Sequence, residues 1–473
     1  MTIYPSNLPQ QLDFFYLLEK LKSFCHSNRA KEWVTQLNPI SNFTLVKKLL
    51  EETNELLLSM HKGESLQIQG FPELDKELHL LSIADAALQA RQILHLRKLV
   101  VMANELVRFF ADKEMVYPYL YKKVVEIPPD EFIVQNIDQI IHHDGVVKED
   151  ASDKLFTLRK ELSANRLTTD RLYRSHLQRL RKLGQLADIE ENFVNGRRVL
   201  GVLAEYKREV KGIILGHSAS GKIAYIEPQN LIPLNNQRLE MEEEEKKEIY
   251  SILKTLTAFL FPFHSQLTSY YETFIQFDFT LAKAMLAKEL HATLPILVSD
   301  ASCIQLYNAH HPVLYLENKE KNSPTIPIHC HLSSEDRIMV ISGPNAGGKS
   351  ITLKTIGLLQ IMLQCGLLMP GSAKSQMSIK QQLMSDIGDN QSIEDGLSTY
   401  SSRLQKMKYF LDKANENTLF LIDEFGTGSD PDMGGALAEV ILDKLNNVKS
   451  QGVVTTHFTN LKIFTLFSFR SNP

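Results

Sequence analysis

Cysteine is scarce. Cys25, Cys303, Cys330 and Cys365 stand far apart in 473 residues, which excludes a disulfide framework and suits a reducing compartment. Excess charge of one sign is missing too. Lys and Arg total 52 against 56 Asp and Glu, a net charge of −4, so any nucleic-acid-binding surface must be local rather than global. No apolar run reaches transmembrane length, and MTIYPSNLPQ lacks a basic-then-apolar leader. The reading is a cytoplasmic protein without a membrane partner. Metal-ligand pairs are wanting as well. His329-Cys330-His331 comes nearest, but strand neighbours face opposite ways and no second pair follows, so it reads as structural.

What the chain does have is IMVISGPNAGGKS, Ile338 to Ser350. Four apolar residues read as a buried parallel strand. They run into Gly343-Pro344-Asn345-Ala346-Gly347-Gly348-Lys349-Ser350, the spacing of a phosphate loop. Glycines let backbone N–H groups converge on phosphate oxygens, Lys349 reaches the β- and γ-phosphates, and the Ser350 hydroxyl takes a place on Mg²⁺. An apolar helix follows, with its N-terminus aimed at the same anion. ATP and Mg²⁺ are the cofactors this predicts.

Further on, Thr418 to Ile422 is an apolar strand closed by Asp423 and Glu424. In a phosphate-loop NTPase the first acid holds Mg²⁺ through water and the second orients the attacking water. Val453-Val454-Thr455-Thr456-His457 is a third strand ending in a histidine at the phosphate crevice, a candidate γ-phosphate sensor.

The length predicts several domains. Residues 1–145 read as an all-α core: leucines recur at helical spacing, with breaks near Pro39, Pro72 and Pro128. Phe71-Pro72-Glu73 spells a tripeptide that some proteins wedge into DNA, but here it sits in a helix-breaking connection and reads as structural. Residues 146–192 read as a long basic helix and 233–295 as its return, with Glu242 to Glu245 on a solvated face. Two such helices of opposite charge bias predict an antiparallel arm. Between them, residues 193–232 alternate β-favouring runs (199–203, 210–215, 223–226) with glycine turns, a small sheet at the arm's tip. That sheet carries Arg197, Arg198, Lys207, Arg208, Lys211 and Lys222, with Tyr206 and Tyr225 interleaved. Such a set either grips a phosphate backbone or merely solubilises the tip. Residues 296–473 are the α/β nucleotide domain.

GPNAGGKS, DEFGTGSDP and the TTH strand end resemble the ATPase domain of the MutS family, within the ABC-type ATPases. GDNQSIEDGLSTYSS, from Gly388 to Ser402, is similar to that family's signature loop, and the tip segment resembles the clamp of its second bacterial branch, which lacks a mismatch-recognition domain. The resemblance implies a helical core, a lever arm with a β clamp, and an ABC-type ATPase domain. It further implies a homodimer in which Ser398 and Thr399 of one subunit contact ATP in the other, and a segment at Asn308 to Pro312 near the adenine. Branched or structured DNA, or the rRNA of stalled ribosomes, are the partners it implies. FTLFSFRSNP departs from the family's continuation, so the ATPase domain is expected to be incomplete, without the Smr nuclease module. A non-catalytic ATP-gated scaffold or an inactive fragment is the alternative; the inserted arm speaks against a transporter ATPase.

Overall fold

The computed structural model describes residues 1–64, 66, 68, 70–187, 192–344, 347–387, 399–426, 431–458 and 461. The chain divides into two compact units, each drawn from separate stretches of sequence.

The first unit comprises residues 1–71, 105–128 and 272–473. Its centre is a five-stranded parallel sheet in the order Thr2–Tyr4, Gln382–Asp386, Thr418–Ile422, Gln451–Thr456, Ile338–Ser342. Every residue of Thr418–Ile422 and Gln451–Thr456 is buried, as befits inner strands of a parallel sheet. The helix Lys349–Gln364 is buried along nearly its whole length. Its last residue anchors distant chain: the Gln364 amide donates to the carbonyls of Ile40 and Lys380 at 2.8 and 2.9 Å. A second, mixed sheet runs Ile296–Val298, Gln376–Ser378, Ile304–Ala309, Ile328–Leu332. In its last strand Cys330 is buried while His329 and His331 are exposed, the alternation expected of a structural strand.

The all-α reading of the N-terminal stretch fails at its start. Thr2–Tyr4 pairs in parallel with Gln382–Met384, and the Tyr4 ring stacks on Tyr409 at 3.9 Å. Three residues carry no detectable period, and their partner lies hundreds of residues away. Phe71 is core, packed against Phe274 and His26 with ring centroids 5.6 and 5.5 Å apart.

The second unit comprises residues 72–104 and 129–271. Two long helices, Asp153–Lys182 and Ile232–Leu260, pack along each other. Ser152 meets Glu248, Arg159 meets Glu245 at 2.7 Å, and Arg166 meets Glu242 at 3.7 Å; rising numbers on one side against falling numbers on the other make the pair antiparallel. Glu242 and Glu245 therefore face the partner helix, which corrects the expectation of a wholly solvated acidic run. Glu243, 69% exposed, fits it. Between the helices lies an antiparallel sheet in the order Asn192–Val194, Arg197–Leu203, Ile223–Pro228, Gly212–His217. Leu200, Val202, Ala224 and Ile226 pack on Tyr173, Leu180 and Leu231 of the flanking segments. The return helix stops at Leu260, earlier than its apolar pattern suggested, because Phe261-Pro262-Phe263 forms a 3₁₀ turn before His264–Glu289 continues.

Candidate functional site

The parallel sheet brings the predicted residues to one edge. Ile338–Ser342 delivers Gly343, and Gly348 caps the helix that opens with Lys349 and Ser350. Gly348 has φ +75°, and a Cβ there would meet no atom within 4 Å; glycine is needed for the backbone angle, not for space. Pro344, Gly347 and Gly348 lie in the loop, while Asn345 and Ala346 fall outside the described residues. Lys349 is only 5% exposed. Its ammonium donates to the Gly343 carbonyl and lies 3.3 Å from His457 Nε2. A charged lysine donates here, so the facing imidazole nitrogen accepts.

Two strands over, the chain turns sharply at Asp423 and Glu424. The Ser350 hydroxyl donates to Asp423 Oδ1 at 3.0 Å, and the Thr455 hydroxyl donates to the same oxygen. That hydroxyl also accepts from the Glu424 N–H at 2.8 Å, and the Thr455 carbonyl accepts from the Phe425 N–H at 2.8 Å. Glu424 itself has φ +49°, an uncommon backbone angle for a residue with a side chain. Gly426 follows at φ +89°, where a Cβ would strike the Phe458 ring at 2.5 Å. Lys349, Ser350, Asp423, Glu424 and His457 thus meet at the carboxyl ends of adjacent parallel strands, the usual crevice for ligands in such sheets. A hydroxyl and a carboxylate oxygen side by side are the hard donors that Mg²⁺ takes.

Sequence reasoning missed three residues here. Thr455, the first threonine after the valines, binds the turn that carries both acids; its strand points to the site through the histidine alone. Asp386 ends the neighbouring strand, 2% exposed, with Lys406 Nζ 2.8 Å from its carboxylate. Arg403, on the helix Thr399–Lys413, reaches the carbonyls of Asp423 and Glu424. No spacing rule marks these two. Thr399 opens that helix; Ser398, with the rest of the segment from Gly388, lies outside the described residues.

The segment Asn308 to Pro312 brings His311 near Lys354, on the helix that Lys349 opens. His311 is 5% exposed and caps Pro312–Glu320 by accepting from the Leu314 N–H at 3.5 Å. Burial pushes its pKa down to about 4, opposed by Asp13 and reinforced by Lys354.

The six basic residues of the small sheet divide. Arg197 pairs with Glu227 at 3.0 Å and donates to Asn236, and Glu227 is 1% exposed. Arg198 pairs with Asp170 and lies over the Tyr173 ring, 4.2 Å from its centroid. Both are spent on holding the sheet to its helices. Arg208, Lys211 and Lys222 are exposed and Lys207 half-buried, with no ion pair among the described residues. Beside them the edge strand presents Ile213 and Ile214, 50% and 42% exposed, which sequence reading did not single out. Among the described residues no group of three or more His, Cys, Asp and Glu could hold a metal ion, and no helix is long and apolar enough to cross a membrane.

Comparison with known proteins points to one family. The family model MutS domain V matches residues 339–468. The chain is 32% identical to Endonuclease MutS2 of Lactobacillus johnsonii over 97% of its own length and 58% of that protein's. It is 31% identical to Endonuclease MutS2 of Aquifex aeolicus over 98% and 59% of the two chains. For the protein of that name in Listeria welshimeri the figures are 34%, 96% and 57%. The chain therefore spans less than three-fifths of the length of these relatives.

Proposed function

Because the chain belongs to the MutS family, in the branch of its MutS2 relatives, we propose that it is an ATP-driven clamp on nucleic acid. The observation that carries the reading is the meeting of Lys349, Ser350 and Asp423, with the serine hydroxyl 3.0 Å from the carboxylate. Lys349 and the loop N–H groups bind the β- and γ-phosphates of ATP. Ser350 and Asp423 would hold Mg²⁺, which would neutralise phosphate charge there. Glu424 orients the attacking water and takes its proton, and His457 contacts the γ-phosphate. Two copies pair so that Ser398 and Thr399 of one complete the site of the other.

On the second unit, the long antiparallel pair serves as the lever and its sheet as the clamp. Lys207, Arg208, Lys211 and Lys222 contact phosphates, a set that excludes the internally paired Arg197 and Arg198. Such contacts position without reading sequence, so the favoured target is branched or structured nucleic acid that two arms embrace. The relatives are named endonucleases; no cleavage chemistry is carried to this chain.

The test is fluorescent-ATP titration and ATP turnover for parent and Lys349→Ala, each with branched duplex DNA, linear duplex and ribosomes. Lys349→Ala is expected to lose ATP affinity; equal affinity would overturn the nucleotide site. Replacing Lys207, Arg208, Lys211 and Lys222 with Ala is expected to flatten the salt dependence of duplex binding, by up to ~0.9 in log K per log salt for each phosphate no longer neutralised. An unchanged slope would make the tip a solvated surface.

A further inference from the structure

The turn that carries Asp423 and Glu424 is gripped from the side by one arginine. Arg403 donates from Nη1 to the Glu424 carbonyl at 3.0 Å and from Nη2 to the Asp423 carbonyl at 3.4 Å. Its Nε lies 3.5 Å from Asp386 Oδ2. Asp386, itself buried, accepts from Lys406 Nζ at 2.8 Å, and its backbone carbonyl accepts from the Asp423 N–H at 2.9 Å. The strand register ends at Ile422, and both following carbonyls accept from this arginine, as buried backbone acceptors require donors. A planar guanidinium supplies two donors in a fixed fork. It meets them just where the chain holds Glu424 at φ +49°, a conformation that persists only when its surroundings over-determine it. Released from the fork, the turn can relax toward ordinary backbone angles, which would swing the Glu424 side chain away from its present direction.

We propose that Arg403 is a positioning residue for ATP hydrolysis: it locks the Asp423–Glu424 turn and thereby aims the Glu424 carboxylate at the attacking water. This role rests on the ATPase reading above. The same geometry bears on regulation. Arg403 sits in the first turns of the helix Thr399–Lys413, directly after Ser398, so the helix that is to touch the partner's nucleotide is the one that braces this subunit's own base. Lysine cannot replace the fork, because a single ammonium presents no planar pair of donors.

The experiment compares Arg403→Gln, Arg403→Lys, Glu424→Gln and the Arg403→Gln/Glu424→Gln double variant in ATP turnover, with thermal melting as a control for folding. Arg403→Gln is expected to lower kcat by about 10- to 100-fold, the scale of a misplaced catalytic group, with KM for ATP within about threefold of the parent. Arg403→Lys is expected to recover only part of the loss. In the Glu424→Gln background the arginine change should cost nothing more, since both act through one group. A parental kcat for Arg403→Gln, or an undiminished further loss in that background, overturns the proposal. Amide hydrogen exchange supplies a readout that does not need turnover. The Glu424 and Phe425 N–H groups should exchange about tenfold faster in Arg403→Gln, and unchanged exchange overturns the positioning role. Absence of turnover in the parent would instead count against the ATPase reading, leaving the exchange result to decide the role of Arg403.

Discussion

Single residues at the crevice proposed for ATP hold roles that their neighbours cannot take over. Glu424→Gln keeps shape and the backbone bond to Thr455 but removes the carboxylate. It should bind ATP as the parent does and turn it over slower by roughly 100-fold or more; single-turnover hydrolysis at the parental rate would assign the water to another group. His311 makes a pH prediction. Its cap on Leu314 needs an unprotonated Nδ1, and burial lowers its pKa to about 4 from an ordinary value near 6.5. The unfolded chain therefore takes up the proton first as pH falls. The stability this residue contributes is full above about pH 6.5 and is lost as pH drops toward about 4. Chemical denaturation at pH 7 and pH 4.5 should show it, by up to roughly 2–3 kcal/mol. His311→Asn, which keeps a capping acceptor without a titrating group, should shrink that difference.

Elements are decided by pairs rather than by single side chains. The basic helix and the acidic return helix were legible from leucine spacing and charge bias, and their pairing follows from Arg159 with Glu245 and Arg166 with Glu242. Which basic residues of the small sheet stay available was not legible. Arg197, Arg198 and Lys211 look alike in a sequence; only the packed sheet sets Arg197 against the buried Glu227 and Arg198 between Asp170 and Tyr173. Arg197→Ala should leave Glu227 without its cation, though Asn235 still donates to it at 2.7 Å. A loss of about 2–3 kcal/mol is expected, below the roughly 3–5 kcal/mol of a fully buried pair broken on one side. Lys211→Ala, at an exposed position, should stay within about 0.5 kcal/mol. Urea melts of the two variants separate a structural arginine from a surface lysine.

At the scale of the molecule, the first unit is not the contiguous C-terminal stretch that sequence composition suggested. Its parallel sheet takes its outer strand from Thr2–Tyr4. The helix Lys349–Gln364 is tied to the Ile40 backbone by two hydrogen bonds, and the Thr53 hydroxyl donates to the Gly366 carbonyl at 3.3 Å. A fragment of residues 296–473 is therefore expected to lack cooperative unfolding. Deletion of residues 1–5 from the full chain should lower Tm by several degrees, through loss of one strand and the Tyr4–Tyr409 stack, worth about 0.5–1.5 kcal/mol by itself. Calorimetry of fragment, deletion and parent decides this; a sharp, parental transition in the fragment would show that the N-terminal stretch is dispensable.

The sequence by itself determined the strand and helix that flank the glycine-rich loop, the acids at a strand's end and the histidine-tipped strand, because each is a local pattern set by spacing along one element. It determined the long paired helices and the small sheet for the same reason. Tertiary structure alone decided that Thr455 and Arg403 hold the Glu424 turn, that Arg197 and Arg198 face inward, and that the first residues complete the parallel sheet. These outcomes join residues far apart in the chain. Periodicity and motif spacing describe a residue's own neighbourhood; they say nothing of which distant carbonyl or carboxylate folding will set before it.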